Sequence, residues 1–160
     1  AYTYNEPFIW YEYVLEVSKL IKENGLKNVL VTNGYVNEEP LKKLLPFIDA
    51  LNIDIKSIKD KTYRKLKGSL DPVLETAKIS KETCHVEITT LIVPTVNDRD
   101  DELVELFEWI ADNLGKDTPL HLSRYFPVFK SDIPPTPVKT LQKAKKLALE
   151  RLDRVSLGNI

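Results

Sequence analysis

Ala50-Leu51-Asn52-Ile53-Asp54-Ile55-Lys56-Ser57 alternates apolar with polar residues along its length. Period two belongs to a strand whose two faces meet different surroundings. The polar face carries an amide, a carboxylate and an amine. Val29-Leu30-Val31-Thr32 and Val86–Val93 also read as strands, and each precedes a helical pattern. Strands that alternate with helices form parallel sheets, which are normally covered on both sides. Polar residues pointing inward on such a sheet predict a lined cavity.

Working outward, Tyr2–Asn5 reads as a short strand and Asn5-Glu6-Pro7 as a helix start with proline in its first turn. The helix that follows puts Trp10, Val14, Val17 and Ile21 on one stripe and closes at Asn24-Gly25. Asn28–Thr32 is an apolar strand ended by the turn pair Asn33-Gly34. Asn37 is placed to cap a helix with the stripe Leu41, Leu44, Leu45 and Ile48. Beyond the opening stretch come a basic helical run over Asp60–Lys67, a break at Gly68 and a helix over Asp71–Lys81. Val86–Val93 stops at Pro94, and Asp100–Asn113 is amphipathic through Leu103, Leu106, Phe107 and Ile110. Pro119–Phe126 is a further strand, and prolines 127, 134, 135 and 137 stiffen the loop after it. A helix over Val138–Leu152 and a sixth strand over Val155–Leu157 complete the pattern, one βα unit after another.

Composition bounds the function classes. The chain has 160 residues, 42% hydrophobic and 29% charged, with a net charge of -1. This describes a single globular domain over 1–160, with no basic footprint for nucleic acid. No apolar run reaches the roughly 20 residues of a membrane span, and no signal peptide opens the sequence. The single cysteine, Cys84, excludes an internal disulfide and suits a reducing cytoplasm. One thiol cannot hold zinc or an iron–sulfur cluster, each of which takes about four ligands. No glycine-rich phosphate loop is present. The sequence contains no methionine and opens inside a strand pattern, so it reads as a piece of a longer protein.

Taking Asn52, Asp54 and Lys56 as inward, the same parity selects Thr3 and Asn5, Thr32, Glu87 and Thr89, His121, Ser123 and Tyr125, and Ser156. A closed eight-stranded (β/α) barrel fills its centre with branched apolar side chains. A polar inward set fits an open barrel with a ligand in the middle, its chemistry at the C-terminal strand ends. Bland readings stand beside this one. Asn5 and Asn33 are common cap and turn residues, and Asp54 and Lys56 could be a simple ion pair. His121 is more often hydrogen-bonded filler than a ligand, and Cys84 an inert thiol.

Thr3-Tyr-Asn-Glu-Pro7, Val31-Thr-Asn-Gly34, Asp54-Ile-Lys56, the strand end Val93-Pro94 and Leu122-Ser-Arg-Tyr-Phe-Pro127 follow one another in a familiar order. The set resembles radical S-adenosylmethionine (SAM) enzymes, in the pyruvate-formate-lyase-activating-enzyme-like group and particularly the AmmeMemoRadiSam-system radical SAM proteins. The resemblance implies an α/β fold, an open partial (β/α)6-type barrel of parallel strands with the first βα unit missing. It implies SAM as cofactor, with a [4Fe–4S] cluster in the intact parent only. By position, Asn5 and Glu6 stand where the family meets the methionyl amine. Thr32 and Asn33 lie near the ribose and sulfonium, and Lys56 beside Asp54 reaches the SAM carboxylate. Thr89 flanks the ribose, Ile92 and Val93 present backbone to adenine, and Arg124 and Tyr125 fall at the last position on the SAM side. No catalytic residue and no metal ligand is implied within the chain.

Two departures argue against activation of pyruvate formate-lyase itself. Val31 stands where activating enzymes have aspartate, and Tyr125-Phe126 where they have histidine. Without a Cys-x-x-x-Cys-x-x-Cys loop, the chain alone is expected not to cleave SAM reductively. Its partners are then SAM and a radical-acceptor substrate, a protein among the candidates, with neither nucleic acid nor membrane. An unpaired first strand predicts coverage by another chain or self-association. Two other readings stay open: a (β/α)-barrel lyase or aldolase with Lys56 as Schiff-base nucleophile tuned by Asp54 and Glu87, and a non-catalytic interaction module.

Overall fold

The computed structural model describes residues 1–160. Five parallel strands form one open sheet in the order β1-β2-β3-β4-β5. These are β1 (Val29–Thr32), β2 (Ala50–Asp54), β3 (His85–Ile92), β4 (Leu120–Arg124) and β5 (Val155–Gly158). Between them run α1 (Tyr11–Glu23) ahead of β1, α2 (Glu38–Leu44), α3 (Asp60–Lys65), α4 (Asp71–Thr83), α5 (Asp100–Leu114) and α6 (Val138–Leu149). The α/β alternation read from the sequence is the architecture found. The chain divides into two compact units, residues 1–54 with 71–87 and residues 55–70 with 88–160.

In the first unit, β1 pairs with β2 in the register Val29↔Ala50 to Thr32↔Ile53. Leu30, Leu51 and Ile53 are buried together with Leu41 and Leu44 of α2 and Val73 of α4. Gly34 shows why the turn after β1 needs glycine. It sits at φ +71°, and a Cβ there would lie 2.9 Å from the Ile53 side chain. The start of the unit is held by Asn28, whose amide nitrogen donates to Ser18 O at 2.9 Å and to Phe47 O at 3.0 Å. Its Oδ1 accepts from the Tyr2 hydroxyl at 3.0 Å. The Asn28 N–H donates to Asp49 Oδ2 at 2.8 Å. The Lys27 ammonium, then this amide, hold the Asp49 carboxyl below its usual range.

In the second unit, β3, β4 and β5 keep register through Ile88↔Leu120↔Val155 and Thr89↔His121↔Ser156. Helices α5 and α6 pack on one another, and α6 covers β4 and β5. Phe107 and Ile110 of α5 and Leu141 of α6 are fully buried. The stripe Leu103, Leu106, Phe107 and Ile110 read from the sequence is the buried face of α5.

Four expectations are corrected. Tyr2–Asn5 is not a strand, and five strands form the sheet rather than six. Tyr2 alone bridges β1, its N–H donating to Val29 O at 2.8 Å and its carbonyl accepting from Val31 N at 3.0 Å. Tyr4 at φ +73° then turns the chain out of extended geometry. Trp10 lies in the 3₁₀ turn Pro7–Trp10 and is 59% exposed; of the predicted stripe α1 fully buries Val14, together with Ser18. Asn37 precedes α2 without a side-chain capping bond, leaving Glu38 and Glu39 as the favourable charges of that first turn. Thr32 does not share a face with Asn52: the register puts it beside Ile53, while Val31 is the partner of Asn52. A one-residue offset flips a side chain to the opposite face of a sheet.

The polar faces of these strands remain partly open. Asn52 and Asp54 on β2, and Thr89, His121 and Ser123 on β3 and β4, are half-buried. Val31 and Leu91, apolar residues in register with these rows, are also exposed on them.

Candidate functional site

In the first unit the candidate residues meet at the C-terminal end of β1. The Thr32 hydroxyl donates to Glu6 Oε1 at 2.6 Å, and the Asn33 N–H to Glu6 Oε2 at 2.8 Å. The Phe8 N–H donates to Oε1 at 3.3 Å, so Glu6 also caps the 3₁₀ turn. Thr32 Oγ1 accepts from Gly34 N at 3.0 Å, and Asn33 Oδ1 from Tyr35 N at 2.8 Å. The sequence pieces Asn5-Glu6-Pro7 and Thr32-Asn33-Gly34 thus become one cluster. A carboxylate accepts about four hydrogen bonds, and the fold supplies three here, leaving capacity for a cationic donor. Asn5 is exposed and lines, with Thr3, Pro7, Trp10 and Tyr13, a groove of about 340 Å³. Asp54 ends β2, half-buried.

In the second unit, Lys56 follows the end of β2. Its N–H donates to the Tyr63 hydroxyl at 3.0 Å, and its carbonyl accepts from Asn97 Nδ2 at 2.6 Å. Ser57, next in sequence, is buried and donates from Oγ to Glu102 of α5. Thr89 lies in the half-open row with His121, whose Nδ1 is 2.7 Å from Ser156 Oγ.

The backbone at the end of β3 is already engaged. Ile92 O accepts from Thr136 Oγ1 at 2.5 Å, and Val93 N donates to Asn97 Oδ1 at 2.7 Å. Arg124 and Tyr125 hold the proline-rich loop. Arg124 Nε donates to Thr136 O at 2.8 Å, and the guanidinium lies 4.6 Å from the Phe126 ring centre. The Tyr125 hydroxyl donates to Ser131 Oγ at 2.5 Å. Sequence reasoning missed Tyr63, Asn97, Glu102 and Thr136. Each is a buried residue with a polar group on a helix or loop, and Asn97, Glu102 and Thr136 also bond to chain more than 40 residues away in sequence.

The donor set fits one of the two groups that the resemblance implies. In the first unit, the Glu6 carboxylate, with an acceptor position left over, is chemically complementary to the ammonium of SAM. The iron–sulfur cluster does not fit. Cys84, the sole cysteine, immediately precedes β3, at the opposite strand end from Ile92. Its Sγ donates to Ser80 O at 3.4 Å, and burial, with the Asp49 charge, pushes the thiol up to about 11. A cluster ligand must be a thiolate, and about four are needed. No group of three or more His, Cys, Asp or Glu side chains is arranged to hold a metal ion.

The radical SAM superfamily pattern matches residues 1–109. The chain belongs to the radical SAM superfamily. It is 47% identical over 163 aligned residues to an uncharacterized protein of Methanocaldococcus jannaschii, covering all of this chain and 48% of that one. A putative glycyl-radical enzyme activating enzyme of the same organism is 31% identical over 149 residues, covering 88% of this chain and 56% of that protein. The chain therefore spans about half the length of these relatives. Its fold is that of a crystallised domain of pyruvate-formate lyase-activating enzyme from Bacteroides vulgatus. The TM-score is 0.84 at 15% identity, over 99% of this chain and 97% of that one. The partial radical SAM barrel anticipated from the ordered motifs is thus the fold observed. No helix is long and apolar enough to cross a membrane.

Proposed function

We propose that these 160 residues are the SAM-binding portion of a radical SAM enzyme of the activating-enzyme-like kind. The observation that carries the proposal is the Glu6 carboxylate, fixed at the end of β1 by Thr32 and Asn33 with room for one more donor. In this reading Glu6, beside Asn5, receives the methionyl ammonium of SAM. Lys56, next to Asp54, meets its carboxylate. Thr32 orients Glu6 from the helix-covered side of the sheet, and Asn33 stays close to the ribose. Thr89 flanks the sugar. Val93, half-buried, offers apolar surface to adenine, backed by the fully buried Ile92, since the Ile92 carbonyl and the Val93 N–H are already bonded. Arg124 and Tyr125 close that side by holding the loop.

In the parent protein a [4Fe–4S] cluster would supply the electron for reductive cleavage of SAM. In this reading its ligands would come from other parts of the parent, and Cys84 carries no step of that cleavage. The radical acceptor is a separate substrate. A protein is the leading class, because one relative bears the name of an activating enzyme for glycyl-radical enzymes.

The test is calorimetric titration with SAM of the unaltered protein and of Asp54→Ala and Lys56→Ala. Loss of a charge-assisted contact is expected to weaken binding about tenfold or more. Equal affinity in all three proteins removes Asp54 and Lys56 from the site.

A further inference from the structure

Lys56 lies two residues beyond the end of β2, where sheet pairing no longer fixes the chain. Its backbone is nevertheless held at both polar atoms. The N–H donates to the Tyr63 hydroxyl at 3.0 Å, and the carbonyl accepts from Asn97 Nδ2 at 2.6 Å. The same Nδ2 donates to Leu91 O at 2.9 Å, while Asn97 Oδ1 accepts from Val93 N at 2.7 Å. One amide therefore ties the Lys56 carbonyl to the two residues on either side of Ile92. Just before it, Ile55 N donates to Thr89 O at 3.0 Å, and Ile55 O accepts from Thr90 Oγ1 at 2.8 Å.

Asn97 is 3% exposed and Tyr63 5% exposed, so both supporting side chains are buried while the Lys56 end of the bonds is half-buried. The requirement at position 97 is specific: two N–H donors and one acceptor on a short planar group. Aspartate has the acceptor without the donors, and serine lacks the second donor. A lysine that grips a carboxylate loses side-chain freedom, and more is lost if its backbone also has to be ordered on binding.

We propose that Asn97, together with Tyr63, is a positioning residue for Lys56. The pair locks the Lys56 backbone against the end of β3, so that the ammonium is presented from a fixed Cα. This rests on the reading of Lys56 as the partner of the SAM carboxylate. Asn97 and Tyr63 touch no ligand themselves and act through Lys56.

The experiment uses Tyr63→Phe and Asn97→Asp, each alone and combined with Lys56→Ala. Phenylalanine keeps the buried ring and removes the hydroxyl that accepts from the Lys56 N–H. Aspartate keeps the acceptor for Val93 and removes both donors. Amide hydrogen exchange of the segment 55–58 reads the lock directly, and SAM titration reads its consequence. Loss of one of these bonds is expected to speed exchange at Lys56 about tenfold and to weaken SAM binding about three- to tenfold. With alanine at 56, the same substitutions should change affinity by less than about twofold, the mark of acting through that side chain.

Unchanged exchange at Lys56 overturns the proposal. So does an equal loss of affinity with and without the lysine side chain, which marks a merely structural role. If Asn97→Asp fails to fold, Tyr63→Phe decides alone. An unaltered protein that binds no SAM counts against the functional reading above, and the exchange of Lys56 then decides the lock independently.

Discussion

The Thr32 hydroxyl donates to Glu6 Oε1 at 2.6 Å, joining the end of β1 to the turn that opens the chain. Thr32 is 3% exposed and shares its sheet face with Ile53, away from Asn52. A residue on the covered side of the sheet thereby aims the carboxylate on which the SAM reading rests.

Replacing Thr32 with valine keeps the shape, removes this bond and leaves the Gly34 N–H without its acceptor. Glu6 would retain the Asn33 and Phe8 amides but lose its shortest donor to Oε1. Stability should fall by about 1–3 kcal/mol, read from denaturant melts. SAM affinity should fall about fivefold as the carboxylate loses its fixed orientation. A melt shift with unchanged affinity would assign Thr32 to stability only.

Asn28 is the buried polar hub of the first unit, 1% exposed and bonded to Ser18, Phe47, Tyr2 and Asp49. Asn28→Ala removes the side-chain partner of the Phe47 carbonyl and of the Tyr2 hydroxyl proton, and the second bond to the Ser18 carbonyl. It should destabilise the fold by about 2–4 kcal/mol, since buried polar groups left unpaired carry the full cost of desolvation. Thermal and chemical denaturation check this. A loss below about 0.5 kcal/mol, within the range of ordinary surface substitutions, would contradict the hub.

Cys84 gives a pH prediction. Burial raises its thiol pKa from 9.0 to about 11 in the folded protein. Folding holds this proton more tightly than the unfolded chain does. The contribution is therefore complete below the unfolded value of 9.0 and is lost as pH rises through the folded value. At pH 8, iodoacetamide should label the native thiol about a hundredfold more slowly than the denatured one, because the thiolate is the nucleophile. Equal labelling rates would show that the thiol is neither buried nor shifted. Cys84→Ser should also remove this part of the alkaline loss of stability.

Much of the fold was legible because strand and helix periods differ. Leu51, Ile53 and Ile55 are buried while Asn52, Asp54 and Lys56 are half-buried, as the alternation in 50–57 implied. Asn24-Gly25 closes α1 as read, Gly25 at φ +71° donating to Lys22 O. The failures have local causes. Val29-Leu30-Val31-Thr32 has no alternation, so its parity could not be read, and Thr32 was put on the wrong face. Tyr2–Asn5 has strand-forming residues, but Tyr4 takes a left-handed backbone that no propensity announces. The candidate ligand contacts came from an ordered set of strand ends, which sequence carries well. Their supports did not, because Asn97 and Thr136 bond to chain more than 40 residues away, Tyr63 reads first as a core aromatic, and a loop asparagine reads first as a turn former.

The most direct test of the central claim is the SAM binding isotherm of the unaltered protein, set beside that of Glu6→Gln. Glutamine keeps the size of the side chain and removes the charge proposed to meet the methionyl ammonium. The account predicts saturable one-site binding by the unaltered protein and a loss of about tenfold or more in Glu6→Gln. No saturable binding up to millimolar SAM, or an isotherm that Glu6→Gln leaves unchanged, would contradict it.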